Sequence, residues 1–285
     1  MAQKPDLEDV EIIRHHVRGS VYLLEATGDV AGNVAALVSD RGTLLVDTQF
    51  VELVPLLRRS LGEINAGNVT RIVNTHFHDD HAEGNALFGS EASIIGPPSL
   101  RSRLAGAPSR ARPSITFENE LTLYWGDEVV RLTHFPGAHT DTDVVVHFVT
   151  SNVFHLGDLF NAGTGSFPSI DLENGGSLPG LITTLATLLD EIPEDAQIIP
   201  GHYELSDLDG LRTTHRMIVE TAAFVEHQIE SGRSVEETIE LGFPTPYDAW
   251  GRTGYTSGSD WIENLYEAIG QDGDPRGSSP LSGSQ

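Results

Sequence analysis

Seven histidine and aspartate side chains stand at positions where a folded chain could gather them around metal ions. Four of them form a dense H-x-H-x-D-H run at the end of an apolar stretch, and three follow singly after short apolar runs. The seven are His76, His78, Asp80, His81, His139, Asp158 and His202. Imidazole and carboxylate groups suit zinc, iron or manganese, and the chain has no cysteine that could offer a thiolate. The pattern therefore predicts a metal site.

The spacing inside the run favours two ions rather than one. Residues two apart on an extended segment point the same way, so His76 and His78 can hold one ion together. Asp80 and His81 lie past the bend, point elsewhere and can hold a second. Burying three imidazoles and two carboxylates together is costly unless a metal compensates for it. We interpret the other histidines as packed or surface residues, and these are His15, His16, His134, His147, His155, His215 and His227.

Apolar runs and periodicity predict the elements that position these side chains. The predicted strands span 19–25, 33–38, 43–47, 93–95, 121–124, 129–135, 144–149 and 152–156. The predicted helices span 51–61, 82–88, 181–189 and a last segment that starts near Ser206, its expected N-cap, and runs to Ile229. Strands followed by helices in both halves favour two packed sheets with helices outside. We predict one domain over residues 1–270 and a disordered tail over 271–285, which is rich in Gly, Ser, Asp and Pro.

The charge balance restricts the classes of partner. The 285 residues carry 42 acidic and 17 basic side chains, a formal charge of -25, which repels phosphate backbones and anionic membranes. We therefore expect a small-molecule substrate, with neither nucleic acid nor membrane as a partner, and leave a homo-oligomer open. The polar, acidic first residues do not resemble a secretory signal, and no apolar run approaches the roughly 20 residues that span a bilayer. These features predict a cytoplasmic protein.

The order of the motifs resembles the metallo-β-lactamase superfamily. Besides H-x-H-x-D-H, the similarity includes Val46-Asp47-Thr48, Pro136-Gly137-Ala138-His139-Thr140 and Pro200-Gly201-His202, within roughly residues 12–205. The resemblance implies an α+β fold, a four-layer αββα sandwich. It implies that His76, His78 and His139 hold a first metal, that Asp80, His81 and His202 hold a second, and that Asp158 bridges both. It also implies that Asp47 orients a ligand imidazole. The family usually has glycine where this chain has Thr142.

The resemblance further implies a hydrolase with two Zn²⁺ ions, with iron or manganese as alternatives. A metal-bridging hydroxide would attack the carbonyl of a small ester, lactone, thioester or amide, and Asp80 would orient this nucleophile. The bridging aspartate is similar to that of glyoxalase II-like thioesterases and lactonases.

Substrate contacts are expected from a glycine-containing loop over 160–176, which is either a mobile lid or a surface connector. The expected contact residues are Phe160, Asn161, Phe167 and Tyr203, and Tyr203 either donates to a developing oxyanion or packs. Four arginines between 101 and 112 are either solvated or contact a substrate carboxylate.

Three alternatives stay open at this point. The first is β-lactam hydrolysis, and the second is a mononuclear iron persulfide dioxygenase, which needs only two histidines and one aspartate. The third is a catalytically inactive member of the superfamily, although such a chain would be expected to carry degraded ligands.

Overall fold

The computed structural model describes residues 6–7, 9–252 and 254–272. Its first sheet has seven strands in the order of the chain, and the first four are antiparallel while β4 to β7 are parallel. The strands are β1 (Ile12–Arg18), β2 (Val21–Ala26), β3 (Val34–Ser39), β4 (Gly42–Val46), β5 (Val69–Val73), β6 (Ser93–Gly96) and β7 (Ile115–Thr116).

The second sheet has five strands in the order β12-β11-β10-β9-β8. They are β8 (Glu120–Trp125), β9 (Glu128–His134), β10 (Val144–Phe148), β11 (Val153–His155) and β12 (Gln197–Ile199). Strands β11 and β12 are parallel, and the other pairs are antiparallel. Parallel neighbours end at the same edge of a sheet, so the loops after β11 and β12 lie side by side.

Eight α-helices complete the described part of the chain. They are α1 (Val54–Glu63), α2 (Asp79–Ala82), α3 (Asn85–Phe88), α4 (Pro98–Arg103), α5 (Leu178–Glu191), α6 (Leu208–Glu230), α7 (Val235–Leu241) and α8 (Gly258–Asp272). Helix α6 begins one residue later than expected, because Asp207 rather than Ser206 caps it by accepting a hydrogen bond from the Gly210 amide. Ser206 instead pairs with Ile198 as a β-bridge. Sequence reasoning predicted neither α7 nor α8.

Three apolar clusters show how the layers pack. The middle cluster lies between the sheets, where Leu23 and Val46 of the first sheet pack with Val146 and Phe148 of the second. A second cluster includes Leu57 of α1 with the outer-facing side chains of the first sheet. The third combines residues of α5, α6 and α8 with the second sheet. This is the predicted α+β sandwich with helices on both outer faces, and the fold prediction is confirmed.

Two further predictions bear on the ends of the chain and on membranes. The tail over 271–285 lies outside the described residues, apart from Gln271 and Asp272, which end α8. The domain division stays a prediction. Among the residues that the structure describes, no helix combines the length and apolar character needed to cross a bilayer.

Candidate metal centre

The candidate ligands lie on loops at one edge of the two sheets. The run from His76 follows β5, Asp158 follows β11, and His202 follows β12. His139 lies in the turn between β9 and β10, with its backbone amide bonded to Asp143. The side chains converge because the parallel strands of each sheet have their carboxyl ends at the same edge, where the loops that follow them lie close together.

A first group consists of His76, His78, His139 and Asp158, and each offers a donor atom within 4.8 Å of the others. His78 Nδ1 lies 3.0 Å from His76 Nε2 and 3.2 Å from His139 Nε2. Asp158 Oδ2 lies 3.8 Å from His139 Nε2. Three ring nitrogens and one carboxylate oxygen thus face a common point, as the donors of a tetrahedral metal site do.

A second group consists of Asp80, His81 and His202. His202 Nε2 lies 3.2 Å from Asp80 Oδ2 and 3.4 Å from His81 Nε2. The other oxygen of Asp158, Oδ1, lies 3.1 Å from His81 Nε2 and 3.6 Å from His202 Nε2. The two oxygens of Asp158 therefore approach different groups, which is the arrangement that a bridging carboxylate requires.

Burial makes this cluster costly without a cation. His76, His81, His139 and His202 are at most 5 % exposed. Although Asp158 Oδ1 is close to two imidazoles, it has no hydrogen bond of acceptable geometry within the described residues. A buried carboxylate oxygen in that state is unfavourable, and a bound cation would satisfy it. The donor set thus fits divalent metal ions.

The pKa values divide the imidazoles into two classes. Burial, aided by the charge of His78, lowers the pKa of His139 to about 4, and burial also lowers that of His76 well below its usual value. Burial opposes protonation of His202 too, but the carboxylates of Asp158 and Asp80 outweigh it and raise its pKa to about 9. His76 and His139 are therefore neutral, with a lone pair that can bind a metal ion. In the second group, His81 and His202 favour the anionic form of the neighbouring carboxylates.

Hydrogen bonds outside the cluster orient the rings. Asp47 accepts from Thr75 N and Thr75 Oγ1 at 2.7 and 2.6 Å and from His81 Nδ1 at 2.8 Å. His139 Nδ1 donates to the carbonyl of Ser169 at 2.7 Å, and His76 Nδ1 lies 3.1 Å from Thr75 Oγ1. The rings of His76, His81 and His139 thereby keep their opposite nitrogens directed into the cluster.

Asp171 orients the ring of His78 in the same way, a role that was not predicted from the sequence. Its Oδ2 accepts from His78 Nε2 at 2.9 Å, which leaves His78 Nδ1 for the cluster. Partial burial opposes ionisation of Asp171, but hydrogen bonds from His78 and Asn174 outweigh it and lower the pKa of its carboxyl. Asp171 lies in a segment, Phe167 to Ser177, that resembles a branch of hydrolases, but the sequence gives it no role because 93 positions separate it from His78.

Two glycines allow the close approach of the loops. A Cβ atom at Gly32 would lie 2.3 Å from the His81 ring, and one at Gly201 would lie 2.1 Å from Asp158 Oδ1. Neither distance is tolerable for carbon, so any larger residue there would displace a candidate ligand.

A cavity of about 550 Å³ opens over the cluster. Its wall includes the candidate ligands His78, Asp80, Asp158 and His202, together with Phe50, Phe77, Asp79, Asn161, Ser166, Ser169, Asp171, Glu173, Asn174, Tyr203, Tyr255 and Thr256. Asn161 and Tyr203 thus lie where substrate contacts were expected, and the amide oxygen of Asn161 is buried without a hydrogen bond among the described residues.

Phe160 and Phe167 do not line the cavity, which corrects the prediction for both. They are 1 % and 0 % exposed and belong to the core beneath the outer helices. Phe167 stacks near Trp261, at 6.4 Å between ring centroids. Apolar rings on this loop are thus held inward by the hydrophobic effect, and the polar residues between them face the cavity.

The arginines of 101–112 are absent from the cavity wall within the described chain. Arg103 is held by Asp141 at 2.7 Å and by Asn174 Oδ1 at 2.7 Å. Arg110 donates to the carbonyl of Ala86 at 2.9 Å. These contacts bind Arg103, at the end of α4, and Arg110 to neighbouring parts of the chain.

Comparisons with known proteins agree with this geometry. A family model described as "Metallo-beta-lactamase superfamily" matches residues 27–202. A hydroxyacylglutathione hydrolase of Polaromonas sp. (strain JS666 / ATCC BAA-500) is 28 % identical over 143 residues, which cover 49 % of this chain and 50 % of that protein. The cytoplasmic isozyme from Saccharomyces cerevisiae is 27 % identical over 194 residues, covering 61 % and 68 %. The first of these matches spans about half the length of the relative.

Solved structures show the same fold. The crystal structure of DIM-1 metallo-beta-lactamase superposes with a TM-score of 0.62 at 20 % identity and covers 75 % of this chain and 100 % of its own. A metallo-beta-lactamase from Pontibacter korlensis gives a TM-score of 0.62 at 18 % identity, with 73 % and 99 % covered. Residues beyond 202 lie outside the family match.

Proposed function

We propose that this chain, which belongs to the metallo-β-lactamase superfamily, is a metal-dependent hydrolase that uses two zinc ions to cleave a small ester, lactone, thioester or amide. The observation that carries the proposal is the position of Asp158, whose two oxygens approach two different groups of histidines. In this proposal the first ion is held by His76, His78 and His139, the second by Asp80, His81 and His202, and both by Asp158.

Metal ions bound there would lower the pKa of water and act as Lewis acids on a carbonyl oxygen. The chain's own residues provide orientation. Asp47 and Asp171 fix the rings of His81 and His78, so the ligands are positioned before any metal arrives. Such preorganisation removes a reorganisation cost from the reaction.

Asp80 is proposed as the residue that orients the attacking water. Its side chain is 22 % exposed and lines the cavity, while the candidate ligands His81 and His202 are almost fully buried. Burial opposes its ionisation, but His81 and His202 outweigh burial and lower its pKa, so it is an anion at neutral pH. A carboxylate in this place can accept a hydrogen bond from water and hold its lone pair towards the substrate carbonyl.

Tyr203 is proposed as a donor to the substrate oxygen or leaving group. It lines the cavity next to the candidate ligand His202, and its backbone φ of 72° is unusual for a residue with a side chain. Asn161, with its buried amide oxygen, is proposed to accept a hydrogen bond from the substrate. The cytoplasmic location, the absence of nucleic-acid and membrane partners, and an open oligomeric state stay predictions from the sequence.

The test combines metal analysis with a panel of ester, lactone, thioester, amide, β-lactam and phosphodiester substrates. We expect about two zinc ions per chain and turnover of a carbonyl substrate that a chelator abolishes. Asp158→Ala should lose metal and activity together, while Asp190→Ala, which removes an exposed carboxylate of α5, should retain both. Full activity without metal would refute the proposal. A single iron with oxygen uptake on a persulfide would support the dioxygenase alternative instead.

A further inference from the structure

We infer that the substrate carries a positive charge, such as an ammonium group, beside the scissile carbonyl; this rests on the proposed function. The inference comes from the wall of the cavity rather than from its metal ligands. Two features of that wall, its charge and its aromatic faces, point to the same class of substrate.

The charged side chains of the wall are carboxylates. Outside the candidate donor set it includes Asp79, Asp171 and Glu173, and within the described chain no lysine or arginine lines it. Asp171 is engaged by His78. Asp79 and Glu173 are both exposed, on segments that flank the candidate ligands. The nearby Arg103 is held by Asp141 and Asn174, so it does not reverse the sign of the field.

These carboxylates change an expectation based on the ligands alone. With two divalent ions and only Asp80 and Asp158 as anions, the site would be locally positive and would tolerate an anionic substrate. Asp79, Asp171 and Glu173 add three negative charges around the same cavity. The formal charge of -25 on the whole chain acts in the same direction and attracts cations towards the cavity.

Aromatic faces supply the second feature. Phe50 and Tyr255 line the cavity, and the Tyr255 ring lies 5.7 Å from the ring of His202. Phe77 also lines it, and its ring already lies 5.7 Å from the guanidinium carbon of Arg103. Cations are attracted to such faces, and a quaternary ammonium group is bound well between aromatic rings and carboxylates. Tyr255 lies beyond the segment that matches the family model, so this part of the wall comes from outside the segment that carries the metal ligands.

The segment that carries Tyr255 is held in place by the loop over the site. Gly254 N donates to the carbonyl of Gly165 at 2.8 Å, Phe167 N donates to that of Thr256 at 3.0 Å, and Thr256 N donates to Ser166 Oγ at 2.8 Å. A Cβ atom at Gly254 would lie 2.0 Å from the hydroxyl oxygen of Tyr203, so the packing there is close. The aromatic wall is therefore built into the resting structure.

The experiment compares three esters of one acyl group and similar size. The alcohols are choline, its uncharged isostere 3,3-dimethylbutan-1-ol, and a carboxylate-bearing alcohol of matching length. We expect kcat/KM to be about tenfold higher for the choline ester than for the uncharged ester, and lowest for the anion. Raising the salt concentration should reduce the preference, since ions screen the attraction of exposed carboxylates.

Two variants locate the effect. Glu173→Gln and Tyr255→Leu should each reduce the ratio of choline ester to uncharged ester about threefold or more, mainly through KM. Glu191→Gln, which removes an exposed carboxylate at the end of α5, should leave the ratio unchanged. Calorimetry of choline against 3,3-dimethylbutan-1-ol gives a readout that does not depend on turnover, and we expect choline to bind more tightly.

The outcomes separate the two proposals. Equal kcat/KM for the three esters, a preference for the anion, or equal binding of the two alcohols would overturn the inference about charge. If the metal-loaded protein hydrolyses no member of the wider substrate panel, the proposed function fails, and the calorimetric comparison still tests the charge preference by itself.

Discussion

Replacing Asp171 with asparagine is the sharpest test of how the metal centre is assembled. The carboxylate of Asp171 accepts a hydrogen bond from His78 Nε2 at 2.9 Å, and both side chains are partly buried, with 19 % and 29 % exposed. The Asp171→Asn variant keeps the shape of the side chain and one acceptor oxygen but loses the charge. We expect weaker zinc binding at the first site, because the His78 ring is less basic and less firmly oriented.

The magnitude follows from the type of bond that changes. A hydrogen bond to a charged group contributes about 1.5–3 kcal/mol, and a neutral one about 1 kcal/mol. Their difference is about 0.5–2 kcal/mol, and the partial exposure of the pair places the loss towards the lower end, at about 0.5–1 kcal/mol. Since about 1.4 kcal/mol is tenfold in an equilibrium constant, zinc affinity should fall by about 2- to 5-fold.

The assay is competition for zinc against a chromophoric chelator, with cobalt spectra as a second readout of the ligand geometry. Glu173→Gln is the matched control, since it removes an equal charge two residues away in the same loop without touching His78. Asn174→Ala is a second control, because Asn174 Nδ2 donates to the same carboxylate at 2.8 and 2.9 Å. It loosens the loop and leaves the bond to His78.

Two results would refute the reasoning. If Asp171→Asn binds zinc as tightly as the wild type, with the same cobalt spectrum, the bond to His78 does not orient a ligand. If Glu173→Gln weakens zinc binding as much as Asp171→Asn does, the loss of affinity comes from the loss of a negative charge near the site and not from the bond to His78. An Asn174→Ala variant that reproduces the full loss would assign the effect to loop order.

Three other predictions address the bridging carboxylate, a close contact and a buried histidine. Asp158→Ala should lower zinc content at both sites, measured by mass spectrometry; loss from one site alone would contradict bridging. Gly32→Ala should displace His81 and reduce zinc to about one ion per chain, whereas Gly62→Ala in α1, with open space around it, should retain both. Burial lowers the pKa of His155 in the folded chain to about 4, whereas its ordinary value is about 6.5. Between about pH 6.5 and pH 4, therefore, His155 takes up a proton in the unfolded chain but not in the folded one. The metal-free protein should therefore lose up to about 3 kcal/mol of stability as the pH falls through this window, and urea unfolding should show a flatter pH dependence for His155→Asn.

The donor set could be predicted because its signals are local. His76 to His81 are adjacent in the chain, and His139, Asp158 and His202 each follow a predicted strand or an apolar run. Strands and their loops depend on short-range patterns of apolar residues and turn formers, which a single sequence displays. The bonding of Asp47 to His81 agrees with the orienting role implied by the family resemblance.

The prediction for Phe160 and Phe167 was wrong because the position of these side chains depends on contacts between distant parts of the chain. Both residues lie in a glycine-containing loop that was expected to face the substrate, and the choice between core and cavity depends on which surfaces meet them. Phe167 is buried against Phe243 and Trp261, on segments for which no element was predicted. Packing partners at such separations are invisible in a local pattern.

The sequence by itself determined the chemistry of the donors, the approximate positions of eight of the twelve described strands and the negative charge of the chain. Only the tertiary structure decided that Asp171 holds His78, that Tyr255 reaches the cavity from beyond the segment shared with the family, and that Asp79, Asp171 and Glu173 lie together in the described cavity wall. The physical reason is the range of the interactions. Backbone preference and ligand type act between neighbours in the chain, whereas a hydrogen bond across 93 residues exists only once hydrophobic burial has brought the two loops together.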